Sequence, residues 1–141
     1  MRLVLDTNVV IAAVVGSGAP TRLIELATEG NIELFASEAL LAELAAVLDR
    51  GHIAERLRHK NRSAAETLAL YEALVEVIVP ALIMPTVEDP GDDAVLACAL
   101  AARADMIVSG DTRVRNVKYY HRIPILSPAQ ALVRLPAQSD N

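Results

Sequence analysis

A chain of 141 residues is long enough to bury one core and too short for two ordinary ones, so a single domain over residues 1–135 is expected, with a short disordered tail at 136–141. Hydrophobic residues make up 53% of the sequence and aromatics only 3%, so the core has to be built from Leu, Val, Ile and Ala. The balance of 13 basic against 18 acidic side chains, a net charge of −5, argues against a nonspecific nucleic-acid coat. No apolar run approaches the roughly 20 residues that cross a bilayer. The N-terminus also lacks the basic, apolar and small-residue series of a secretory leader, so the cytoplasm is the expected compartment.

Arg2-Leu3-Val4-Leu5-Asp6-Thr7-Asn8 reads as a buried strand that delivers a carboxylate to a sheet edge. An unpaired acid inside such a run would be too unfavourable to bury, so Asp6 belongs at the strand's carboxyl end, where open α/β sheets bind ligands. Thr7 and Asn8 supply a hydroxyl and an amide to orient it. A helix is expected over 9–15. The stretch Gly16-Ser17-Gly18-Ala19-Pro20 breaks it, and Pro20 suits the first turn of a second helix that stops at Gly30.

A second strand is expected over 32–35, with Ser37 as the N-cap of the next helix. There Leu40, Leu41, Leu44, Val47 and Leu48 form a stripe, and Glu43 lies at its edge while Glu38 and Asp49 point away. Residues 52–60 continue as a short basic helix, and Ser63-Ala64-Ala65-Glu66 reads as a capping box opening another. A third strand over 77–79 closes at Pro80. Glu88-Asp89-Pro90-Gly91-Asp92-Asp93 then leads into a uniformly apolar helix over 94–104. Strands over 106–108 and 123–126 follow, the first ending in Ser109-Gly110-Asp111 and the second in the helix-opening Ser127-Pro128-Ala129-Gln130.

This alternation predicts an α/β domain with a parallel sheet and right-handed crossovers, whose strand order the pattern does not specify. Cys98 has no companion for a disulfide or a zinc site and reads as core. Two basic segments interrupt the acidic average. Arg50, Arg56, Arg58, Lys60 and Arg62 face only Glu55, and Arg113, Arg115, Lys118 and Arg122 face no acid at all.

Asp6 and Asp111 end strands, Glu43 edges a helix stripe, and Asp92 and Asp93 open a buried helix. Singly, Glu43, Asp92 or Asp93, and Asp111 have ordinary uses as solvated acid, cap and turn residue respectively. Together they are able to share one crevice of a parallel sheet. Two carboxylates about 4 Å apart repel by roughly 4 kcal/mol at an effective dielectric near 20, so such a cluster calls for a counterion. Hard oxygen ligands without a Cys or His pair favour Mg²⁺ or Mn²⁺ over zinc.

The set Leu5-Asp6-Thr7-Asn8-Val9, Leu41-Ala42-Glu43-Leu44, Asp89-Pro90-Gly91-Asp92-Asp93 before Leu96-Ala97-Cys98-Ala99, and Val108-Ser109-Gly110-Asp111 resembles the PIN-domain ribonucleases, particularly the VapC-type toxins of toxin-antitoxin pairs. The resemblance implies a three-layer α/β/α sandwich around a central, mainly parallel sheet, and a metal-dependent endoribonuclease, frequently a homodimer, bound by a small antitoxin. Carried over by motif, Asp6, Glu43, Asp93 and Asp111 form the acidic quartet, with Asn8 and Ser109 as supporting polar groups and Asp92 a rival for the third place. Where the family often has a further acid two residues after the last, this chain has Arg113. Arg113, Arg115 and Lys118, next to Asp111, are the nearer candidates to grip RNA. Two other readings remain. A Mg²⁺ phosphohydrolase of haloacid-dehalogenase type would want Asp where Asn8 stands, and a binding module would hold RNA without cutting it.

Overall fold

In the computed structural model, residues 1–85 and 90–136 are described. Strand β1 (Arg2–Leu5) runs into α1 (Thr7–Val15), followed by α2 (Ala19–Thr28), β2 (Glu33–Ala36), α3 (Glu38–Leu48), α4 (Gly51–His59), α5 (Ala64–Leu74) and β3 (Glu76–Val77). The second half is α6 (Pro90–Ala102), β4 (Met106–Val108), α7 (Thr112–Arg115), β5 (Tyr119–Tyr120), β6 (Ile123–Leu126) and α8 (Pro128–Arg134). Glu88, Asp89 and, from residue 137 on, the expected disordered tail lie outside the described residues. No described helix is long and apolar enough to cross a membrane.

The strands form one sheet in the order β3-β2-β1-β4-β6-β5, parallel except for β5, which pairs antiparallel with β6. Because side chains alternate across a strand, each central strand feeds two cores. Leu3, Leu5, Leu34, Met106 and Val108 face a core completed by α1, α2, α5 and α8. Val4, Phe35, Ile107 and Ile125 face a second core completed by α6 through Val95, Leu96, Cys98 and Ala99. Those two covered faces are the expected three layers. They also explain why the central strands read as continuous apolar runs.

Local caps follow the sequence closely. The Ser37 hydroxyl accepts from the Leu40 N–H, Ser63 from Glu66, and Ser127 and Gln130 close a reciprocal capping box with Pro128 at the first helical position. Gly30 sits at φ +81 just past α2, a left-handed turn that favours glycine. Several boundaries differ from expectation. Helix α1 begins at Thr7 because Asp6 serves as its N-cap, and α6 begins at Pro90, so that Asp92 and Asp93 lie inside its first turn. Strand β3 is only Glu76–Val77, with both side chains exposed. The helix α7 and the strand β5 were not anticipated, being too short for any periodicity to register.

The basic α4 is tied back onto α1. Arg56 Nη2 donates to the Val15 carbonyl at 3.4 Å and Lys60 Nζ to that of Gly16 at 3.3 Å, so these cations satisfy carbonyls at the end of a helix.

Candidate active site

The strand order decides where the acids meet. From β1 the chain moves to β2 on one side, while β4 lies on the other, so the β1/β4 boundary is the sheet's switch point, where a crevice opens beyond the carboxyl ends. Asp6 follows β1 and Ser109 follows β4. Their backbones continue the ladder, with Asp6 N–H on the Val108 carbonyl at 2.8 Å and Ser109 N–H on Leu126 at 2.9 Å.

Asp6 is 4% exposed and held by three donors. The Ser109 hydroxyl donates to Oδ2 at 2.7 Å, the Asn8 amide to the same oxygen at 3.2 Å, and the Thr7 N–H to Oδ1 at 2.9 Å. Burial pushes the carboxyl above its ordinary range. Bonds from Ser109 and Thr7 pull it back, and the charges of Glu43 and Asp111 raise it further. Thr7 turns its own hydroxyl away from Asp6, donating to Glu43 Oε2 at 2.9 Å and so linking α1 to the acid on α3. Asn8 is used twice, since its Oδ1 accepts from the Gly110 N–H at 2.9 Å. A Cβ on Gly110 would stand 3.2 Å from that oxygen, which explains why glycine suits the turn.

Asp111 caps the short α7 and carries Arg113 on its carboxylate at 3.0 Å. The Arg113 side chain and N–H hold the carboxyl below its usual range. Asp6, Glu43, Asp92 and Asp111 line one cleft of about 360 Å³, together with Thr7, Asn8, Arg50, His52 and Arg113. Asp93, the motif's choice for third acid, is not among its lining residues. Arg115 and Lys118 line a separate hollow with Tyr119 and Gln130. Cys98 is buried in the second core, where burial pushes its thiol up to about 12 and leaves it inert.

The carboxylate donors are all oxygen, and a buried carboxylate that shares one cleft with three others fits a hard divalent cation by chemistry. Among the described residues, no three acids, histidines or cysteines yet stand close enough to hold one ion together. Arg50 and His52 are the cleft residues that sequence reasoning missed. No helical period signals Arg50, because α3 ends at Leu48 and Arg50 is the extended N-cap of α4.

Ser109 is the most constrained of these groups, fully buried and also accepting from the Asp111 N–H at 3.0 Å. Ser109→Ala is expected to lower unfolding stability by about 1–3 kcal/mol, the range for leaving buried partners unsatisfied. With its shortest bond gone, Asp6 ionises less readily, so any activity depending on its charge shifts its acid limb to higher pH. Urea unfolding and a pH profile read both effects, and no change in either would show that the hydroxyl does not support Asp6.

Fold and cleft together define a parallel α/β/α domain with a buried acid at its switch point and further carboxylates around it. The chain belongs to the PIN-domain family, whose model matches residues 2–113, a span that contains all the acids of the cleft. Among solved structures, a chain of the crystal structure of VapBC2 from Rickettsia felis, bound to a DNA fragment from their promoter, superposes with a TM-score of 0.59. The match covers 89% of this chain and 97% of that one at 17% identity, a likeness of fold. No curated protein matches the sequence.

Proposed function

We propose that this chain is a VapC-type toxin, a ribonuclease that hydrolyses RNA phosphodiester bonds with Mg²⁺ or Mn²⁺ and is restrained by a small antitoxin protein. The observation that carries the reading is Asp6, buried, held by three donors, and facing Glu43, Asp92 and Asp111 across one cleft. Family membership supports a nuclease, and the fold shared with a chain of VapBC2 supports the toxin-antitoxin setting. When bound, a divalent cation supplies Lewis acidity toward the phosphate and acidifies water. Asp6, Glu43, Asp111 and one of Asp92 and Asp93 would hold it. Ser109 and Asn8 keep the Asp6 carboxylate aimed at the cleft, Thr7 does the same for Glu43, and a carboxylate not committed to the ion is available to take a proton from water.

Asn8 weighs against the phosphohydrolase alternative. It stands where that family wants a second Asp, and its amide is engaged by Asp6 and Gly110. Incubating the protein with RNA and with a small phosphate ester, each with Mg²⁺ or chelator, separates the readings. RNA cleavage abolished by the chelator is expected. Phosphate release from the ester alone would favour the phosphohydrolase, and RNA binding without cleavage the binding module.

An acidic cleft repels phosphates, so RNA has to be gripped by cations at its rim. Arg113 and Arg50 line the cleft itself, with Arg115 and Lys118 on the same short segment as Arg113. Each phosphate contact removed is expected to flatten the log-log salt dependence of RNA binding by roughly 0.7 for a single strand. Titrations of RNA against a cleavage-dead protein at several salt concentrations, with and without Arg113, Arg115 and Lys118 changed to Ala, measure this. An unchanged slope would move the RNA path off this segment.

A further inference from the structure

The acids of the cleft are held by different kinds of partner. Asp6 takes the Ser109 hydroxyl, the Asn8 amide and the Thr7 N–H, and Glu43 takes the Thr7 hydroxyl, so neutral donors orient both and leave their charge uncancelled. Asp111 differs. Its Oδ1 accepts from the Arg113 N–H at 2.9 Å and from Arg113 Nε at 3.4 Å, and its Oδ2 accepts from Nη2 at 3.0 Å. One residue engages both oxygens and brings a full positive charge.

The pairing is built into the local sequence. Asp111 is the N-cap of the four-residue α7, and a cap side chain accepts from an N–H two or three residues on, which sets Arg113 beside it. The guanidinium is nevertheless free to leave. The Arg113 side chain is 65% exposed against 23% for Asp111, and an ion pair so open to water is weak and easily exchanged. A divalent ion approaching Asp111 from the cleft would meet that guanidinium on both oxygens. A carboxylate has about four lone-pair sites, so the bonds alone leave room for a second partner. Charge does not, because two cations on one carboxylate stand close enough to repel each other strongly.

We propose that Arg113 is an exchangeable counterion, which neutralises Asp111 while no ion is bound and yields that carboxylate to a divalent ion by turning its guanidinium onto a phosphate of the RNA. The inference rests on the metal-dependent nuclease reading and adds to it a coupling between its two ligands. Arg113 released from Asp111 is available to RNA, and Arg113 held by RNA no longer competes for Asp111, so each ligand favours the other by the same factor. Asp111 stays neutralised throughout. The phosphate gains a planar fork that matches two of its oxygens at once. Arg50 is a cation of the same cleft under no such control, since among the described residues its side chain makes no hydrogen bond or ion pair. It meets RNA equally with or without the ion.

Calorimetric titration of the full chain with Mn²⁺, in the absence of RNA, is the first test. Arg113→Gln is expected to bind Mn²⁺ about two- to fivefold more tightly than the parent, the factor that an exposed ion pair contributes, and Arg113→Lys, which keeps the charge and loses the fork, to fall between them. The second test is RNA binding at several salt concentrations, in EDTA and in Ca²⁺, with the RNA shown intact on a gel. In EDTA the parent and Arg113→Gln are expected to share one log-log slope, because Arg113 is then held by Asp111. In Ca²⁺ the parent is expected to be steeper by roughly 0.7, one phosphate contact on a single strand. Arg50→Gln, as control, is expected to flatten the slope equally in both. A parent that binds neither ion nor RNA would remove the nuclease reading and this inference with it. A parent that binds both, with Mn²⁺ affinity unchanged in Arg113→Gln or a slope difference already present in EDTA, would overturn the exchange alone.

Discussion

Asp6→Asn is expected to abolish RNA cleavage, by about a hundredfold or more, while the metal-free protein melts at a higher temperature than its parent. The first effect follows from removing a preorganised charge at the centre of the cleft, a loss of the size seen when one electrostatic group is taken from an active site. The second follows from desolvation. Burial raises the Asp6 carboxyl above its unfolded value, so between the two values the folded chain binds the proton more tightly and stability falls as pH rises. The penalty grows as pH rises through the raised value of the folded carboxyl, and it is absent below the ordinary carboxylate range. The melting advantage of the Asn variant should therefore be clear at neutral pH and shrink as pH is lowered toward 4. Lost bonds from Ser109 and Asn8 work the other way, which limits the gain to a few degrees, about the shift produced by 1 kcal/mol in a domain of this size. Full activity in the variant would remove Asp6 from the site, and a melting temperature lowered at every pH would show that its hydrogen bonds outweigh its burial.

Asp92→Asn is expected to reduce cleavage at saturating Mg²⁺ far more than Asp93→Asn, by tenfold or more between the two. Motif matching points the other way, to Asp93. Both acids stand in the first turn of α6, where either favourably meets the positive end of the helix dipole. They are successive residues, about 100° apart around the helix, and so cannot both face the same wall. Asp92 lines the cleft with Asp6, Glu43 and Asp111. Asp93 then serves chiefly as a first-turn acid, and its removal should appear in stability, by about 0.3–1 kcal/mol, rather than in catalysis. Single-turnover cleavage by the two variants decides the matter, and a larger loss for Asp93→Asn would restore the order given by the motif.

The sequence by itself determined most of the framework. Apolar runs ending in Asp6 and Ser109 marked buried parallel strands, because only strands covered on both faces stay apolar at every position. Serines, prolines and glycines marked the helix ends, since capping and φ are properties of single residues and their near neighbours. Glu43 was legible for a similar reason, as the one acid of its helix at the edge of an apolar stripe.

Tertiary structure decided what depends on contacts between distant segments. Strand order, which puts β1 beside β4 and creates the crevice at Asp6, is specified by packing on two cores and not by any local period. The same holds for which of Asp92 and Asp93 lines the cleft, a matter of about 100° of rotation, and for Arg50 and His52, which join the cleft when α4 folds beside α1 and α3. In the sequence Arg56 and Lys60 are members of a basic segment, and the fold brings them to the carbonyls of Val15 and Gly16, more than 40 residues back. A charge in a sequence has no partner until the chain has closed on itself, and the partner determines what that charge does.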